Sequence, residues 1–140
     1  MGGASGGFIA SSREVVDVLR NRARTYLFSN SIAPSIVGAS IEAYKLLDES
    51  KDLITQLNKN TRLFRTSMKA AGFKIVGHDD CPIAPVWLGD AKLATEMSNK
   101  MLEDGIFVIG FSFPVVPKGE ARIRVQLSAG HTEEQVVRCV

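Results

Sequence analysis

Arg122 and Arg124 are the side chains in this sequence best suited to chemistry. They alternate with Ile123, Val125 and Leu127 through Ala121–Ser128, so both guanidinium groups fall on the polar face of a half-buried strand. A guanidinium presents its donors as a planar fork that matches the oxygens of a carboxylate or a phosphate. The same spacing also suits a solvent-facing sheet that binds nothing. A second set of donors lies in Phe28-Ser29-Asn30-Ser31, just ahead of Pro34. Hydroxyl, amide and backbone N–H groups at a helix entrance suit an anion, and equally serve as caps and turn residues. The third feature is the opening run Met1-Gly-Gly-Ala-Ser-Gly-Gly7. Having little side-chain bulk, it fits a flexible tail or a backbone that must take φ > 0 close to a ligand.

Other chemistry finds little support. Cys81, Cys139, His78 and His131 are scattered and lack metal-ligand spacing, so no zinc site is expected. No Ser/His/Asp spacing, paired carboxylates or Walker-type loop is present. His131 at a helix start and His78 in an acidic loop read as structural or solvated. The cysteines fit a reducing compartment. Seventeen basic and fifteen acidic residues leave a net charge of +2, too balanced to point to nucleic acid or a membrane surface. No apolar run approaches the ~20 residues that span a bilayer. The residues by themselves describe an anion-binding module.

The elements that must position these groups can be read from the pattern. Ser11-x-x-Glu14 has capping-box form and opens a helix carrying Val15, Val16 and Leu19. Thr25–Ser31 reads as non-helical. Pro34 suits a first helical turn, and the helix continues through Ile36, Val37, Ile41, Tyr44 and Leu47. A longer helix runs through Leu53, Leu57, Phe64, Met68 and Ala71, closed by Gly72. Phe73–Val76 and Ile83–Leu88 read as strands, with Pro85 placing the second at an edge or a strand start. Asp90 caps a helix ending at Gly105, Ile106–Ile109 is β-rich, and Pro114–Gly119 is a loop. Thr132-x-x-Gln135 is a second capping box, opening the last helix. The expected class is α/β: a small, mainly antiparallel sheet with helices on one face, preceded by further helices. Both ends of the sequence fall inside predicted elements, so a piece of a larger protein is expected.

Taken in order, Gly2–Gly7, Tyr26-Leu-Phe-Ser-Asn-Ser31, Gly105-Ile-Phe-Val-Ile-Gly-Phe111, Pro114-Val-Val-Pro-Lys-Gly119 and Ala121-Arg-Ile-Arg124 resemble one family. It is the C-terminal part of the 2-amino-3-ketobutyrate coenzyme A ligases, or glycine C-acetyltransferases. These are pyridoxal-phosphate-dependent α-oxoamine synthases of the type I transferase fold. The resemblance implies homodimers that condense glycine with acetyl-CoA to 2-amino-3-oxobutyrate and CoA, the reverse serving threonine catabolism. It implies no metal, nucleic acid or membrane partner. The compartment would be mitochondrial in an animal and cytoplasmic in a bacterium. Residues 1–31 would be the end of the large cofactor-binding domain, and 32–140 the C-terminal small domain with its last helix truncated.

Residue by residue, Arg124 matches the arginine that binds the substrate carboxylate, with Arg122 as a neighbour or ion-pair partner. Ser29, with Phe28 and Asn30, matches the segment that reaches the phosphate of the dimer partner's pyridoxal phosphate. Gly2–Gly7 would form the strand and tight turn lining the cofactor pocket. The family's cofactor-linking lysine lies in a Lys-x-x-Gly-Gly context, which maps two residues ahead of Met1. None of the lysines present takes that place, and Lys118 could at most approach substrate. The 140 residues alone are therefore expected to be inactive and to bind the cofactor unproductively. The alternative is a stand-alone α+β module that binds small carboxylates or a protein partner.

Overall fold

Residues 5–140 are described by a computed structural model. The expectation for Gly2, Gly3 and Ala4 lies outside them. Helices and strands follow in the order α1 (Arg13–Arg22), α2 (Arg24–Phe28), α3 (Pro34–Glu49), α4 (Asp52–Ala70), β1 (Ile83–Gly89), α5 (Ala91–Glu103), β2 (Ile109–Phe111), β3 (Ala121–Gln126) and α6 (Glu133–Arg138). They form two compact units, one ending at Ser50 and one running from Lys51 to Val140.

In the first unit, residues 5–12 form no regular element. The strand expected there is absent from Ser5–Gly7, although Gly6 has φ +133° and packs beneath Ile32, where a Cβ would come within 3.3 Å of Cγ2. The cap of α1 is Ser12 rather than Ser11, and its side chain makes no capping bond. Glu14 then sits one position too early for a capping box. Hydrogen bonds from its own backbone N–H and from Ser12 hold its carboxyl below the usual range. Thr25–Phe28 proves helical: Ala23 breaks from α1 in an extended conformation, and its carbonyl accepts from the N–H groups of Tyr26 and Leu27. Pro34 opens α3 at its first turn, as expected, where its missing N–H costs nothing. No residue from 5 to 50 is buried, and Phe8, Val18, Leu27, Phe28 and Ile41 are all exposed.

The second unit has its own core. On α4, Asn60, Thr61, Phe64, Arg65 and Met68 are buried, recurring every three to four residues along one face. Gly72, with φ +91°, ends the helix in a Schellman turn: Phe73 N–H reaches the Met68 carbonyl and Gly72 N–H that of Lys69. Asp90 caps α5 through its bond from Leu93 N–H at 2.8 Å, and Thr132 and Gln135 form the expected capping box at α6.

The sheet has three strands in the order β1–β3–β2, with both pairings antiparallel. Ala84, Val86, Ile123 and Val125 face Phe64 and Met68 of α4 and Val136 of α6. The helices thus cover one sheet face, as expected. Strand limits differ from the sequence reading because neighbouring backbone groups are already engaged. Phe73–Val76 supplies only a bridge, Ile75 to Val86. Pro85 offers its carbonyl to Val76 but has no N–H to extend that ladder. Ile106 N–H closes α5, and the Val108 carbonyl accepts from the Ser98 hydroxyl, so β2 begins only at Ile109. Beyond Gln126, Leu127 N–H turns to the Pro82 carbonyl and Ser128 N–H to the His131 ring.

Buried polar residues fasten the loops to α4. Asn60 Nδ2 donates to the carbonyls of Ser128 and His131, both at 2.9 Å. Arg65 donates to the carbonyls of Cys81 and Ile83 and lies 3.8 Å from Asp79, which Lys69 also binds at 2.7 Å. The hydrogen bond and charge of Lys69 hold the Asp79 carboxyl below its usual range, with smaller help from Arg65 and His78. A carboxyl depressed on folding stabilises above its unfolded pKa, and that stabilisation disappears as pH falls through the folded value. Asp79→Asn is therefore expected to flatten the acid limb of the stability profile. Urea midpoints measured down a pH series check this; parallel profiles for both proteins would contradict it.

Candidate functional site

The sheet face opposite the helices carries Arg122, Arg124 and Gln126 of β3. The register places Trp87 of β1 and Phe111 of β2 on either side of Arg122, and Pro85 and Ile109 on either side of Arg124. The two arginines, equivalent by sequence spacing, end in different environments. Arg122 donates from Nε to the Glu120 carbonyl at 2.9 Å and from Nη2 to the Glu120 carboxylate at 3.2 Å. It thus forms an ion pair with Glu120, one of the two roles that the resemblance left open for it. Arg124 has no hydrogen bond or ion pair among the described residues. Its guanidinium instead lies over the Phe111 ring, Cζ 4.8 Å from the centroid.

Two more cations flank aromatic rings in this unit: Lys74 over Trp87 at 4.6 Å and Lys118 over Phe113 at 5.3 Å. Such contacts hold a cation without neutralising it, so its charge stays available to an anion. Arg124 can therefore offer a carboxylate two parallel N–H donors from an exposed position.

Ser29 and Asn30 belong to the other unit. Ser29 follows α2 in an extended conformation, and the Phe28 ring beside it is 82% exposed. Neither Ser29 nor Asn30 has a side-chain hydrogen bond among the described residues, so both keep their donors for an outside group. His131 accepts from Ser128 N–H through Nδ1, and His78 from Asp80 N–H, so both imidazoles order loops. Both cysteines are free, and burial pushes the Cys139 thiol up. Phe111 was missed in the sequence because it belongs to another strand. Asn60 and Arg65 were missed as well, although polar residues inside the apolar stripe of α4 were a usable signal.

Comparison with known proteins extends this description. The chain is 55% identical over all 140 residues to mouse mitochondrial 2-amino-3-ketobutyrate coenzyme A ligase. It is 51% identical, again over 140 residues, to the ligase of the same name from Escherichia coli K12. It spans 33% and 35% of those two proteins. Among solved structures, SPT with a PLP internal aldimine superimposes with a TM-score of 0.81 at 27% identity, over 91% of this chain and 32% of that one. This fold similarity agrees with the expected type I transferase fold. A sequence model described as aminotransferase class I and II matches residues 1–140, and the chain belongs to that family.

Proposed function

We propose that this chain is the C-terminal third of a pyridoxal-phosphate-dependent acyltransferase that condenses glycine and acetyl-CoA to 2-amino-3-oxobutyrate and CoA. The reverse reaction would cleave that product in threonine catabolism. The observation that carries the reading is an overall identity above 50%, across all 140 residues, to ligases about three times its length. In this reading residues 1–31 close the large domain and 32–140 form the small one. The chain passes from one compact unit to the other after α3, between Ser50 and Lys51.

The residues present fit part of a cofactor site. Ser29 and Asn30, with Phe28 beside them, have exposed donors, unengaged among the described residues and suited to the phosphate of a dimer partner's cofactor, and Arg124 suits the substrate carboxylate. When bound, pyridoxal phosphate supplies an electron sink for charge developing at the substrate α-carbon. Arg124 would fix the carboxylate and so the orientation of the bonds at that carbon. None of the lysines here stands in the Lys-x-x-Gly-Gly context of the family's covalent link.

The polypeptide of these 140 residues is accordingly expected to be inactive alone. Incubation with pyridoxal phosphate followed by borohydride should leave no lysine stoichiometrically labelled. The full-length protein should label at one lysine and turn over glycine with acetyl-CoA. Stoichiometric labelling of Lys118 in the short polypeptide would sink this reading. A second reading, a small-carboxylate-binding module, draws on the separate core of Lys51–Val140 and on Arg124, unpaired among the described residues. Turnover by the full-length protein decides against it.

A further inference from the structure

Arg122 and Arg124 project from the same face of β3, yet only Arg124 is left without an anionic partner among the described residues. What holds it is the Phe111 ring, with the guanidinium carbon 4.8 Å from the centroid. Phe111 is directly opposite Arg122 in the register, so Arg124 reaches its ring along the diagonal between neighbouring strands. A free arginine samples many rotamers, and a carboxylate that captures it must first restrict them. A ring beside the guanidinium removes much of that freedom, and none of the Arg124 N–H groups is spent in a hydrogen bond among the described residues. The ring cannot accept the in-plane hydrogen bonds that a carboxylate would take. At Arg122 they are taken by Glu120, whose backbone carbonyl accepts from Nε and whose carboxylate accepts from Nη2.

The placement of the ring is itself enforced. Gly110 lies against the Ala94 carbonyl, where an added Cβ would come within 3.1 Å, so β2 packs directly on α5. The Ser98 hydroxyl holds the Val108 carbonyl at 2.9 Å, just ahead of that contact. Both contacts set the position of Phe111 relative to β3.

We propose that Phe111 is a positioning residue, which pre-orients the Arg124 guanidinium for edge-on capture of the substrate carboxylate. The proposal rests on the reading of Arg124 as the carboxylate-binding residue. The test uses the full-length holoenzyme with glycine and acetyl-CoA. Phe111→Leu is expected to raise KM for glycine about three- to tenfold, the value of one partly exposed cation–π contact, with kcat and KM for acetyl-CoA unchanged. Phe111→Tyr, which keeps the ring, should restore the glycine KM. In an Arg124→Lys background Phe111→Leu should add nothing further, because its effect passes through Arg124.

If Arg124→Lys raises KM for glycine and Phe111→Leu does not, the positioning role is overturned while the carboxylate reading stands. If Arg124→Lys leaves that KM unchanged, the carboxylate reading itself fails. Equal losses in kcat and both KM values for Phe111→Leu and Phe111→Tyr would assign the ring to packing and overturn the proposal. Loss of folding in Phe111→Leu and in Phe111→Met would do the same.

Discussion

Arg124→Ala in the full-length enzyme is expected to lower kcat/KM for glycine roughly ten- to hundredfold. A charge-assisted, bidentate hydrogen bond contributes about 1.5–3 kcal/mol, and each 1.4 kcal/mol is a factor of ten. The structure supports the upper part of that range, because Arg124 has no competing partner among the described residues and is already held over Phe111. Arg122→Ala should cost much less in the same assay, since that guanidinium is occupied by Glu120. Steady-state kinetics with glycine varied at saturating acetyl-CoA separates the two. Equal losses for both variants would contradict the assignment, as would a normal kcat/KM for Arg124→Ala.

Phe64→Ala is expected to destabilise the unit Lys51–Val140 by about 3–5 kcal/mol, the usual cost of emptying a buried aromatic site. Phe64 is 0% exposed and touches the core formed by both outer helices and the sheet. Its neighbours are held by β-pairing and by the anchors of Asn60 and Arg65, so the cavity has little freedom to collapse. Trp87, the one tryptophan, is partly buried in β1, so its fluorescence follows this unit during denaturant unfolding. A loss under about 1 kcal/mol would mean that the core repacks around the gap. By contrast, the exposed Phe28, Ile41 and Leu46 of the first unit have no packing of that kind to lose.

Much of the fold was legible because its signals are local. Asp90, Thr132 and Pro34 start helices through groups within one turn of themselves, and Gly72 ends one through its own backbone conformation. The alternation of Ile123, Val125 and Leu127 with Arg122 and Arg124 needed only the two-residue period of a strand. Element limits were less legible, because distant groups claim the backbone there. Ser98 takes the Val108 carbonyl, Pro82 takes Leu127 N–H, and Ala23 supports a helical turn where aromatic and hydroxyl residues suggested a loop. Arg65 and Asn60 likewise meet partners 16 to 71 residues away, which no periodicity reveals.

The candidate site divides along the same line. The order of short motifs from Gly2 to Arg124 determined the family, since chemistry-bearing segments keep their types and sequence whatever the packing. Spacing also put two arginines on one strand face. Which of them is free to bind was decided only by tertiary structure. Glu120 folds back on Arg122, and β2 brings Phe111 from another strand under Arg124. A two-residue period can say which face a side chain takes, but pairing between strands decides what lies beside it.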